Sequence, residues 1–571
     1  MVACVHVTHE AVRQSGGIGT VLRGLLTTGS YRQRVGRTLL LGPLEDSGAR
    51  ELSAPDNSLL YDSARQVRYA DASAALDRVA AAHGVRLVYG VRQLRDQYGE
   101  TAVEVLLVDV EAPGLHVDAF KYYLSEHFGL DSRRYEVTPE YERYLRLAEP
   151  GFEGIRALLG SSDELCWLIG HEFMGVCTLL KSMLAGDQRF RTAFYAHEVA
   201  TVRMLVEDTP GRDIMFYNVL RLARREGGYL TDHFGPQEWY HKHALISQAW
   251  RCDALLAVGD WVVEELRFLG PDFDRHDISL VYNGIPSSAV PREARAESRQ
   301  RLERYVEALL GYRPDWIFTH VTRLVSSKAL WRDLLVLRGM DNALVQRGQR
   351  AVLLMLATEV GRRQPEAVWR MAAEYGWPLV HREGYPDLTP GELQFDFQVR
   401  ALNAACQAVS VIYINQFGFD QSSCGPAMPA DMSFADIRQG TDAEFGQSIY
   451  EPFGIAMLEP LNAGAISVIS DACGCLGFLE RTVGRDFAAL VEGQYTRLED
   501  TLDIRMARNL GAEERDRAEV AESHRVAELL LERLSADPET RDRLLRQGHE
   551  AAQLMSWECV AEQMFLPALG I

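Results

Sequence analysis

Two glutamates, Glu451 and Glu459, stand in the otherwise apolar stretch IYEPFGIAMLEPLNAGAISVIS, residues 449–470. Burying a carboxylate is costly unless it is paired or hydrogen-bonded. The pair therefore needs a cap, a salt bridge, or a ligand rich in hydroxyl groups. Upstream, FTHVTRLVSSKALWRDLL carries Arg323 and Lys328 at the end of a strand pattern. Ser326 and Ser327 are candidate N-caps of the helix that follows. Two permanent cations at a helix N-terminus oppose the macrodipole unless an anion joins them. A guanidinium fork with an ammonium point charge suits a diphosphate. Only four lysines occur in the chain (Lys121, Lys181, Lys242 and Lys328), and one falls here.

The first half offers three further turns. THEAVRQSGGIGTVLRGLL places Gly16, Gly17 and Gly19 where a strand gives way to a helix, so that backbone N–H groups can approach an anion. A tight βα turn explains the same glycines. IGHEFMG presents His171 and Glu172, and FYAHEVATVR presents His197 and Arg203, each pair at the end of a strand candidate. Such histidines serve structure or chemistry.

Positioning these residues requires strands that end at one edge. Apolar runs ACVHVTH, RTLLLGP, EVLLVDV, LCWLIGH, RTAFYAH, ALLAVG and ISLVYNG alternate with amphipathic stretches in the first half. WIFTHVTR, AVLLMLA, PLVHRE, VSVIYIN and ISVIS do so in the second. This is the signature of βα units in parallel sheets. Two series predict an α/β chain of two doubly wound, Rossmann-like domains with ligand held in the cleft between them. The boundary is expected after VYNGIP, giving an N-terminal domain 1–285 and a C-terminal domain 286–554. The closing helix, 555–571, is expected to rejoin the first domain, and 415–448 reads as a long irregular insertion. Pro452 suits a helix start with Glu451 just before it, aiming the N–H groups of Phe453, Gly454 and Ile455 at a ligand. Pro460 should bend that helix near Glu459.

At 571 residues the chain exceeds one core, and an apolar fraction of 47% is that of a packed globular protein. A net charge of −20 argues against a general binder of nucleic acid or anionic membranes. The start, MVACVHVTHE, lacks the pattern of a secretion signal, and no apolar run reaches bilayer length. A cytoplasmic location is expected. Nine scattered cysteines, with Cys473 and Cys475 as the one close pair, read as buried thiols and not as a zinc site or disulfide framework.

With these residues in hand, the chain resembles the glycogen and starch synthases, retaining glycosyltransferases of the GT-B fold. SGGIGTV is similar to that family's glycine loop, GHEFMG and AHEVAT to its histidine turns, TRLVSSK to its Arg-x4-Lys diphosphate clamp, and EPFGIAMLE to its E-x7-E motif. IMFYNVL and WYHKHALISQAWRCDALLAVGDWVVEEL lie nearer the animal and fungal members. The resemblance implies transfer of glucose from UDP-glucose or ADP-glucose to an α-glucan such as glycogen, with no cofactor or metal. It implies that Arg323 and Lys328 hold the leaving diphosphate, Glu451 the sugar hydroxyls and Glu459 the ribose. His197 would lie beside the reacting carbon, His171 and Glu172 on the acceptor side, and Gly16 and Gly17 against the phosphates. The chain departs from the family at Gln14, where a lysine is usual, at Phe453, and in the insertion. A phosphorylase or epimerase on the same fold, another saccharide acceptor, and a catalytically silent carbohydrate-binding scaffold remain open, as does homo-oligomerisation.

Overall fold

The computed structural model describes residues 2–571 other than 14, 15, 46, 162, 499 and 501, so Gln14 lies outside the described residues. The chain divides into two compact units. One comprises Met1–Val202, Gly227–Gly284 and Trp557–Ile571, and the other Arg203–Glu226 and Ile285–Ser556. The segment Arg203–Glu226, which the sequence reading leaves in the first domain, clusters with the second unit.

The first unit is built on a ten-stranded sheet. Its strands are β1 (Val2–Val7), β2 (Val35–Pro43), β3 (Ser58–Asp62), β4 (Val67–Arg68), β5 (Leu87–Asp96), β6 (Gly99–Val108), β7 (Cys166–His171), β8 (Phe190–Ala196), β9 (Ala254–Ala257) and β10 (Ile278–Leu280). They lie in the order β10-β9-β8-β7-β1-β2-β6-β5-β3-β4. From β10 to β6 all pairs are parallel, and β1 and β7 are buried almost throughout, as parallel strands covered on both faces must be. The far edge departs from the expected all-parallel pattern: β5 and β6 form an antiparallel hairpin, with β3 and β4 added outside it. Strand β5, LVYGVRQLRD, mixes arginines into its apolar pattern and gave no clear strand signal.

The C-terminal segment closes this unit. Helix Trp557–Val560 runs through a π-helical turn, Ala561–Phe565, into Leu566–Ala568. The Trp557 indole packs so close to Gly24 that a Cβ there would lie 2.4 Å from the ring. The Glu558 carboxylate accepts hydrogen bonds from Gly29 N and Ser30 N, both at 2.8 Å, at the start of helix Gly29–Arg34.

The second unit has six parallel strands: β11 (Trp316–Arg323), β12 (Ala351–Thr358), β13 (Val409–Ile414), β14 (Ala443–Gly446), β15 (Ile466–Ser470) and β16 (Leu490–Gly493). Their order, β13-β12-β11-β14-β15-β16, is the 3-2-1-4-5-6 order of a nucleotide-binding sheet. Alternation along β12 sends Leu353 and Met355 to one apolar layer and Val352, Leu354 and Leu356 to the other. Two expectations fail here. PLVHRE forms no strand, only an isolated bridge between Glu383 and Leu388. The supposed insertion 415–448 contains β14, a central strand, besides the helices Gln421–Cys424 and Phe434–Gly440. Strand β14 reads AEFG: it is short and carries a buried glutamate, which hides it from a hydropathy pattern. No helix among the described residues is long and apolar enough to cross a membrane.

Candidate active site

In an open sheet of this order, ligands bind outside the carboxyl ends of the strands where the winding reverses. In the second unit that switch point lies between β11 and β14. Arg323 is the last residue of β11, and Glu451 follows β14 by five positions. Arg323 is exposed and has no ion-pair partner among the described residues.

After β11 the chain makes a 3-10 turn, Ser326–Lys328, passes Ala329 in a left-handed conformation (φ 48°), and enters helix Leu330–Arg347. Lys328 thus precedes the helix by a turn, and neither serine caps it. The Ser327 carbonyl instead accepts hydrogen bonds from Ile449 N (2.8 Å) and Tyr450 N (3.3 Å), tying the turn to the segment after β14. This contact brings Lys328 Nζ onto the Glu451 carboxylate as a hydrogen-bonded ion pair, each side chain 14% exposed.

Glu451 does not lead into a helix at Pro452. Its backbone bridges to Cys473, its carbonyl accepts from Gly474 N (2.9 Å), and the Phe453 carbonyl accepts from Cys475 N (2.9 Å). The chain turns at Gly454, φ +99°, where a Cβ would lie 2.8 Å from Met457 Sδ and strain the backbone. The helix begins only at Ile455 and ends at Leu458. Pro460 does not expel Glu459 from helical angles (φ −54°, ψ −43°). The helix tightens there into a 3-10 turn, Glu459–Ala463. Arg438 pairs with Glu459 (3.1 Å) and with the buried Glu444 of β14 (3.0 Å). Phe453 is buried, its ring 6.2 Å from that of Phe478.

Beneath the turn lies a buried polar network that sequence reasoning missed. Arg332, fully enclosed, makes two 2.9 Å hydrogen bonds to Asp213, bonds Glu519 at 2.8–3.0 Å, and lies over the Tyr495 ring. Asp333 accepts from Gln447 Nε2 (2.9 Å) and bonds His320 (2.6 Å). Burial pushes the Asp213 carboxyl up to about 6, against the pull of Arg332. In the sequence, Arg332 looks like one more helix-surface arginine.

The first unit presents its own switch point between β1 and β7. Here the glycine loop is held by a carboxylate: Glu10 accepts from Gly16 N (3.0 Å) and Gly19 N (2.8 Å) at the start of helix Gly17–Leu26. A Cβ on Gly16 would lie 2.8 Å from Glu10 Oε1, whereas one on Gly17 would meet nothing within 4 Å. Two of the loop's N–H groups are therefore committed to a protein anion, and open space lies beside Gly17.

Glu172 follows β7 with φ +60°, a conformation costly for a residue with a side chain. Its carboxylate accepts from the backbone N–H groups of His197 and of Glu198 (2.6 Å), which fixes the turn after β8. His171 is fully buried and Glu172 nearly so. Neither is exposed to receive an acceptor, and both bear on His197, which is half-buried. His6, inside β1, was not singled out by sequence. Its Nδ1 lies 2.9 Å from His171 Nε2, and His171 Nδ1 lies 2.8 Å from His197 Nε2. Burial pushes His6 and His197 down to about 3, and His171 also well below the usual range. All nine cysteines are free thiols.

No family model matches the chain, and no curated protein matches it. Solved structures do. The structure of apo OtsA is 10% identical with a TM-score of 0.51, each chain covered in full. The α,α-trehalose-phosphate synthase (UDP-forming) from Burkholderia xenovorans, in complex with glucose-6-phosphate, is 12% identical with a TM-score of 0.50, also over the whole of both chains. The N-terminal domain of a trehalose-6-phosphate phosphatase from Candida albicans is 9% identical with a TM-score of 0.50, over 98% of this chain and 95% of that one. Similarity at these identities is similarity of fold. The two parallel-sheet units have the fold of the GT-B glycosyltransferases.

Proposed function

We propose that the protein is a retaining glycosyltransferase that moves glucose from UDP-glucose or ADP-glucose to a saccharide, with an α-glucan such as glycogen as the primary acceptor. The observation that carries this reading is the Lys328–Glu451 pair, formed in the turn that follows the exposed Arg323 at the end of β11, at the switch point of a nucleotide-type sheet. The paired cation and carboxylate are the two kinds of group that a sugar diphosphate needs, one for its phosphates and one for its hydroxyls. Lys328 turns to the diphosphate with Arg323, and Glu451 accepts hydrogen bonds from the sugar. As the anomeric carbon–oxygen bond to the diphosphate breaks, charge builds on the departing phosphate, where the two cations act most strongly. The acceptor oxygen bonds to the anomeric carbon on the same face and passes its proton to a phosphate oxygen. Arg438 holds Glu459 for the ribose.

A sugar phosphate is the second acceptor to consider, because the Burkholderia xenovorans structure holds glucose-6-phosphate. The test is incubation with UDP-glucose and ADP-glucose, each with glycogen, glucose-6-phosphate or no acceptor. Nucleotide release that depends on an acceptor, with an α-linked product, supports the reading and names the acceptor. No release with either donor favours a silent carbohydrate-binding scaffold.

A further inference from the structure

Three imidazoles and a phenol form a single hydrogen-bonded line across the first unit. Tyr31 Oη lies 3.1 Å from Thr38 Oγ1 and 3.3 Å from His6 Nε2, and the two imidazole contacts of 2.9 and 2.8 Å follow. The line crosses three neighbouring strands: His6 is in β1, His171 ends β7, and His197 follows β8. His6, His171 and Tyr31 are essentially inaccessible to water. Phe565 stacks on His6 at 6.3 Å, and the Tyr195 ring lies 4.4 Å from that of His197. Water therefore has no ready route to the Tyr31–His6 and His6–His171 contacts, and the line meets its accessible end at His197.

We propose that His6 and His171 are positioning residues that, anchored on Tyr31, lock His197 in one neutral tautomer and so fix what its remaining ring nitrogen, Nδ1, offers to a sugar hydroxyl. The sugar part of this statement rests on the transferase reading above; the tautomer lock does not. A neutral imidazole carries one N–H, and each contact in the line needs one proton. Two senses follow. If Tyr31 donates to His6, every ring is protonated on Nδ1 and His197 presents a donor. If His6 donates to Tyr31, which then donates to Thr38, every ring is protonated on Nε2 and His197 presents an acceptor. A mixed sense would set two lone pairs or two N–H groups against each other across less than 3 Å. Burial disfavours a charged ring anywhere in the line.

The test uses the full-length protein labelled with 15N-histidine, reading ring-nitrogen shifts at neutral pH in wild type, His6→Phe and Tyr31→Phe. The expected result is the same protonated nitrogen in all three rings of the wild type. His197 should become a mixture of tautomers in His6→Phe. Should that variant fail to fold, Tyr31→Phe, which removes one oxygen, is read for the same loss. For activity, kcat should fall at least about tenfold with the donor KM within about twofold. Rings of mixed sense, a charged ring, or an unchanged His197 pattern in the variants would overturn the lock. A lock seen by NMR beside an absence of transfer by the wild type would overturn the transferase reading instead.

Discussion

The ammonium of Lys328 and the carboxylate of Glu451, 123 residues apart in the chain, are joined in one ion pair. Neither motif reveals this alone. The pairing arises because the turn after β11 and the segment after β14 are stapled through the Ser327 carbonyl.

Lys328→Ala should lower turnover by more than about tenfold, because it removes a cation from where charge develops in the transition state. The pair is partly exposed, so the fold should lose no more than about 1 kcal/mol. Steady-state rates and a urea titration check both halves. A stability loss well above that with donor affinity retained would make Lys328 structural.

Glu451→Gln should also lower turnover, since a neutral amide is a weaker acceptor for sugar hydroxyls. Rates measured at saturating donor decide this. An unchanged rate would reduce Glu451 to the counter-ion of Lys328.

Arg332→Met strands Asp213 and Glu519 in the interior and should cost about 3–5 kcal/mol of stability. Chemical denaturation measures the loss. A variant as stable as wild type would contradict the account of the buried network.

The histidine line should make the first unit acid-sensitive. Free imidazole titrates near 6.5, whereas burial holds His6 and His197 down to about 3. Between those values the unfolded chain binds protons that the native one refuses. The stabilisation is thus complete above 6.5 and lost as pH falls toward 3. Each ring contributes up to about 1.4 kcal/mol per pH unit. Denaturation at pH 7 and pH 5 should show a smaller decline in His6→Phe than in wild type; an equal decline would contradict this.

Much of this architecture is legible in the chain. Continuous apolar runs ending in Gly, His or Arg gave most of the parallel strands, and REARAESRQRLERYVEALL is the helix Arg292–Leu310. What escaped were elements whose polar residues are satisfied only in three dimensions. Glu444 in β14 is buried because Thr319, the Val321 N–H and Arg438 converge on it, and the first two lie 125 and 123 residues away in the chain. His6 sits in an apolar strand and acquires meaning only beside His171, 165 residues away. Of the antiparallel hairpin, β6 was legible in EVLLVDV, whereas β5 hid behind the arginines in its second half, Arg92 and Arg95. Helix starts were misread where left-handed residues, Ala329 and Gly454, delay them by a turn.

The most direct test of the central claim is calorimetric titration of UDP-glucose, ADP-glucose and the bare nucleosides into wild type and the Arg323→Ala/Lys328→Ala double variant. At least one sugar nucleotide should bind the wild type and lose at least about tenfold in affinity in the variant, while the matching nucleoside binds both alike. Equal affinity of the sugar nucleotide for both proteins would contradict the claim that these two cations grip its diphosphate.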